Sequence, residues 1–219
     1  NLSIPESLND IDKDNHYPIE AIALEDITKD VPKPRQVFSS GGASEVQLRR
    51  LGELMWIYVE TLPSTAWPIS KNYWEASNYK IVSADAESGV IKVAFKNDSI
   101  IEMVIEHGIK EASTEIFLKQ LDSNNENITQ VESIKPEFEM IVDYMAASIE
   151  NFSGTSLAAQ SLNENKKARI FTQNQQTVIE LDLSYQRAWS SVSRALTAGN
   201  IITNDRNRDE GIFLSLIHI

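Results

Sequence analysis

Few side chains in this 219-residue chain are of types that do chemistry, and their spacing keeps them apart. The three histidines are His16, His107 and His218, and none has a second histidine at helical i, i+4 spacing, so no pair is set to clamp a zinc ion. There is no cysteine, which removes thiolate ligands, disulfides and thiol nucleophiles together. A serine nucleophile needs a base oriented by a third group, and no serine stands in a Gly-x-Ser-x-Gly turn. His107, followed by Gly108, reads as a solvated turn residue.

Asp205-Arg206-Asn207-Arg208-Asp209-Glu210-Gly211 has oxygen-bearing side chains at alternate positions, as a calcium loop does. It departs from that loop where the chemistry is strictest. The glycine comes one position late, Leu216 stands where a bidentate glutamate is needed, and two arginines separate the would-be ligands, so the stretch reads as a hairpin turn. Gly41-Gly42 lacks the preceding strand and following lysine of a phosphate loop. The sequence thus predicts no metal, no cofactor and no catalytic residue. The net charge of −12 repels phosphate backbones and anionic headgroups, which argues against nucleic acid as a partner, and no apolar run is long enough to span a bilayer.

The tryptophans lead to the elements that hold them. Trp56 sits in the apolar run Leu54 to Val59, suited to a strand. After Pro63, Ser64 or Thr65 can cap a helix in which Ala66, Trp67, Tyr73 and Trp74 share one face, with Pro68 in the first turn. Lys80 to Asp85 and Val90 to Phe95 form a hairpin, and strands follow at Ile100 to Glu106 and Glu115 to Leu121. Phe138, Ile141, Val142, Met145, Ile149 and Phe152 stripe a helix from about Ile134 to Phe152. The order β-α-β-β-β-α describes a sheet with helices on one face over residues 47–152. Ser153 to Lys167, rich in Ser, Asn and Gln, reads as an interdomain linker.

From residue 168 the first half of that unit recurs. Ile57 and Ile179, Ala66 and Ala188, Trp67 and Trp189, Asn78 and Asn200, and Gly89 and Gly211 are each 122 residues apart. A strand, a helix face and a hairpin glycine held in one register mean two copies of one domain, with Trp67 and Trp189 in equivalent core positions. The second copy covers 168–213. The last six residues, Leu214-Ser215-Leu216-Ile217-His218-Ile219, look like an in-frame translation of a sequencing adapter and are set aside as a non-native tail.

Residues 1–46 differ in kind. Nine acids, four bases and four of the seven prolines make this stretch extended and coreless, yet apolar islands recur at Leu2/Ile4, Tyr17/Ile19, Ile22/Leu24 and Val31/Val37/Phe38. Such islands suit a segment that orders on a partner.

Thr65-Ala66-Trp67-Pro68, then Asn78-Tyr79-Lys80-Ile81 and a hairpin of Asp/Gly type, resemble the first helix-grip domain of the BamC (NlpB) family of outer-membrane assembly lipoproteins. Ala188-Trp189 with Ala195-Leu196 and Asp205 to Gly211 resembles the start of that family's second domain, and Tyr17-Pro18-Ile19 in a Pro-rich extended segment fits its layout. The resemblance implies an α+β chain of two helix-grip-like domains, the second truncated, preceded by an extended N-terminal segment. It implies a non-enzymatic accessory lipoprotein of the Bam complex in the bacterial outer membrane. On this basis Ile4, Pro5, Tyr17, Pro18, Ile19, Ile22 and Leu24 contact a BamD-like TPR lipoprotein, and membrane contact is through a lipid anchor only. The competing expectation is a periplasmic protein that binds a small ligand or peptide in a helix-over-sheet groove near Tyr73 and Trp74.

Overall fold

Met55, Ile57 and Val59 alternate with Trp56 and Tyr58 along one strand, and that alternation sets the two faces of the main sheet. The computed structural model describes residues 35–39 and 45–215, all within one structural unit, Lys33–Ile219. Seven strands, β1 (Arg35–Ser39), β2 (Val46–Leu51), β3 (Leu54–Val59), β4 (Ile81–Asp85), β5 (Val90–Ala94), β6 (Ile100–His107) and β7 (Thr114–Leu121), form an antiparallel sheet in the order β1-β2-β3-β7-β6-β5-β4. Two strands are additional to those expected: β2, and the edge strand β1, which falls inside the stretch read as extended and coreless.

One face of the sheet carries Leu48, Ile57, Ile101, Met103, Ile105 and Ile116, all without measurable exposure. Two helices, α1 (Pro63–Ala76) and α2 (Val131–Ile149), bury Trp67, Trp74, Phe138, Ile141 and Met145 against it. This is the α+β, helices-on-one-face arrangement the pattern predicts. Helix α2 starts three residues before the expected Ile134, at a first turn where Glu132 accepts a hydrogen bond from Arg50.

The start of α1 differs from expectation in its cap. Pro63 itself takes the first helical position, where its missing N–H costs nothing, so neither Ser64 nor Thr65 caps and Pro68 falls beyond the first turn. The Ser64 N–H is instead met from outside the helix by Asn163 Oδ1 at 3.0 Å, while Asn163 Nδ2 donates to Ser64 Oγ. Asn163 closes a 3-10 helix, Leu157–Asn163, within the stretch read as a linker. Its Ala159 and Leu162 are buried in the first core, too few apolar residues to show as a periodicity.

The second copy contains β8 (Ala168–Gln173), β9 (Gln176–Leu181), α3 (Tyr185–Ala198), β10 (Thr203–Asn207) and β11 (Ile212–Ser215). Each of β8, β9, α3 and β10 begins and ends 122 residues after its counterpart among β2, β3, α1 and β4. The pairing register repeats as well: Val46 faces Val59 and Ala168 faces Leu181, and the irregularity between Ile81 and Ser83 recurs between Thr203 and Asp205. Leu214 and Ser215, set aside in the sequence as tail, pair with Asp205 and Thr203. In the first copy β6 and β7 join the two hairpins into one sheet; among the described residues of the second, the hairpins remain separate two-stranded sheets.

Candidate functional site

Ile4, Pro5, Tyr17, Pro18, Ile19, Ile22 and Leu24 lie outside the described residues. The helix-over-sheet groove is filled by the protein's own rings. Tyr73 meets Trp74 and Tyr144 edge-on at centroid distances of 4.8 and 5.4 Å, Tyr79 meets Trp74 at 5.7 Å, and Trp74 Nε1 donates to Met103 Sδ at 3.4 Å. The polar point in this cluster is Glu137, whose Oε1 accepts the Tyr79 hydroxyl at 2.8 Å. Burial, reinforced by the Glu137 charge, pushes the Tyr73 phenol up to about 12, and burial with the Glu137 hydrogen bond does the same to Tyr79. These rings make a packed core, and the ligand groove expected near Tyr73 and Trp74 is absent from it.

His107 is not the solvated turn residue its neighbour Gly108 suggested. It ends β6 on the core-facing side, 1% exposed, with Nδ1 at 2.7 Å from the Gly108 carbonyl oxygen. A cleft of about 400 Å³ nearby is lined by Ser88, His107, Leu162, Asn165, Lys167 and Asp182. Lys167 is already engaged there by Glu106. Among the described residues no three His, Cys, Asp or Glu side chains group to hold a metal, and no helix is long and apolar enough to cross a membrane. The loop from Arg208 to Gly211 is the hairpin turn expected: Glu210 N–H bonds Asn207 Oδ1, as Glu87 N–H bonds Asp85 Oδ1 in the first copy. The Ser88 hydroxyl, then the Glu87 N–H, hold the Asp85 carboxyl below its ordinary value.

Polar chemistry concentrates on the helix-free face of the main sheet. Trp56 and Phe117 stack there with centroids 6.4 Å apart, and the Arg49 guanidinium lies 3.6 Å over the Tyr58 ring. Glu115, 2% exposed, accepts at both carboxylate oxygens from the single nitrogen Arg187 Nη2 on α3, at 2.7 and 2.6 Å, with Lys167 Nζ at 3.7 Å. Burial first, and then the nearby Arg194 charge, lower the Arg49 guanidinium below its ordinary value.

No protein-family model matches the chain. Over 205 residues it is 21% identical to the outer membrane protein assembly factor BamC of Thiobacillus denitrificans, an alignment covering 77% of this chain and 55% of that protein. The chain is similar to an outer-membrane protein assembly factor. It spans about half the length of that curated relative.

Glu115, Phe117, Trp56 and Arg187 were not singled out by sequence. The available signal is a glutamate directly before the apolar run Ile116-Phe117-Leu118, and an arginine two residues before a buried tryptophan. Neither shows that the two meet 72 residues apart.

Proposed function

We propose that this chain is a BamC-like, non-enzymatic accessory lipoprotein subunit of the outer-membrane β-barrel protein assembly machinery. In this role residues 1–46 lie along a BamD-like TPR lipoprotein, with Ile4, Pro5, Tyr17, Pro18, Ile19, Ile22 and Leu24 as its contacts. The folded copies at 47–152 and 168–213 act as interaction modules joined through 153–167, and a lipid anchor holds the assembly at the outer membrane. The observation that supports this most is the duplication itself: a sheet-and-helix unit repeated at a constant offset of 122 residues, in a chain similar to a protein named for outer-membrane assembly. The ionisable groups at the most polar part of the fold are engaged with one another, Lys167 with Glu106 and Arg187 with Glu115, which suits a binding module. Two deletions test it. Binding of the TPR-type lipoprotein should survive removal of residues 168–219 and be lost on removal of 1–34; retention after the second deletion would count against the proposal.

A further inference from the structure

We infer that the second copy is latched to the helix-free face of the first sheet by a single buried ion pair, Arg187 with Glu115, and that opening this latch bares the aromatic strip formed by Trp56 and Phe117. The repeat isolates what Arg187 is for. Its counterpart 122 residues earlier is Thr65, so the shared fold has no need of a charge at this position of the helix. Arg187 instead reaches across to the other copy.

The first sheet has a reason to receive it. Glu106 and Glu115 face each other directly across β6 and β7, and like charges directly opposite destabilise a sheet. Lys167, which immediately precedes β8, contacts both carboxylates, and Arg187 supplies the second cation. The Arg187 guanidinium also lies 5.0 Å from the Trp56 ring and 5.3 Å from the Phe117 ring, a placement in which ring and cation attract. Removing it leaves a buried carboxylate with one partner fewer, the costly half of a broken buried pair.

The rest of the contact is poor, and that makes it a latch. Ser190 and Arg194 follow Arg187 at helical intervals of three and seven residues, yet Ser190 Oγ and Trp56 Nε1 are buried without a hydrogen-bond partner. Arg194 brings like charge towards Arg49. Favourable energy is therefore concentrated on Glu115 and the two rings beside it, and the docked arrangement closes or opens with Arg187.

The absence of native cysteine makes the test clean. Spin labels on Asn124→Cys and Gln175→Cys, both exposed, report the distance between the copies in the full chain. The parent should give one narrow distance distribution, Arg187→Ala should lose it, and Arg194→Glu, facing Arg49, should sharpen it. Circular dichroism checks that α3 persists in Arg187→Ala; if it does not, the parent and Arg194→Glu alone decide. A broad distribution in the parent, one unchanged by Arg187→Ala in a chain that keeps α3, or one broadened by Arg194→Glu overturns the inference.

Discussion

Gly89 and Gly211 turn equivalent hairpins 122 residues apart at φ +72° and +71°, but only Gly89 is pressed against backbone. A Cβ at 89 would collide with the Ile105 carbonyl oxygen, whereas at 211 its nearest neighbour is the Tyr185 hydroxyl at 3.6 Å. Left-handed backbone costs an L-residue about 1–2 kcal/mol, so Gly211→Ala should lose roughly that much locally. Gly89→Ala should lose more, because the strand pairing in which Ile105 N–H bonds the Gly89 carbonyl must shift. Denaturant titration of the two variants checks the order; equal losses would show that the tight approach at Gly89 relaxes freely.

Trp67 and Trp189 are each the fifth residue of a fourteen-residue helix, and each is 4% exposed. Trp67 belongs to the large core, while Trp189 stacks on Phe213 at 3.9 Å. Trp67→Ala should cost about 3 to 5 kcal/mol and unfold or severely weaken the first unit. An unaltered melting temperature would contradict its placement.

Asn163 caps α1 from a different element. Loss of a good helix cap typically costs about 0.5–2 kcal/mol, so Asn163→Ala should lower the stability of the first unit by that amount. Asn163→Asp, which keeps the accepting oxygen for Ser64 N–H, should recover most of it. If both variants match the parent in thermal unfolding, the 3-10 helix contributes by packing alone.

Tyr73 and Tyr79 make the fold sensitive to alkali. Their folded values of about 12 stand above the ordinary 10.0, so the folded chain keeps two protons that the unfolded chain releases between these values. Their contribution is whole below pH 10 and is lost as pH rises through about 12. Phenolate absorbance should show two late-titrating tyrosines, and Glu137→Gln should advance the Tyr79 step by removing the charge it faces. A single tyrosine titration near the ordinary value would refute the buried cluster.

What is legible in the sequence follows from locality. The offset of 122 is visible because Trp67, Gly89 and their partners each serve a local need, a helix face or a left-handed turn, and the same need selects the same residue in both copies. The strand β2 is harder to see because Arg50 interrupts the apolar alternation of Val46 and Leu48, and Arg49 is accommodated by stacking on Tyr58 and by donating to Gln47 Oε1. His107 misleads because its burial depends on where β6 ends against the 108–113 turn. The Arg187–Glu115 pair is set by tertiary docking, for which no spacing rule exists.

The most direct test of the proposed role is a titration of the purified TPR-type lipoprotein with the parent chain and with the Tyr17→Ser, Ile19→Ser double variant. Charges in contact with solvent are screened within roughly 8 Å at physiological ionic strength, so affinity should rest on the apolar residues, and each lost anchor should count. Binding by the double variant should be weakened tenfold or more, about 1.4 kcal/mol, while neutralising Asp10, Asp12 and Asp14 should act on association rate and salt dependence. A double variant that binds like the parent, with binding abolished when the folded copies are deleted, would contradict it.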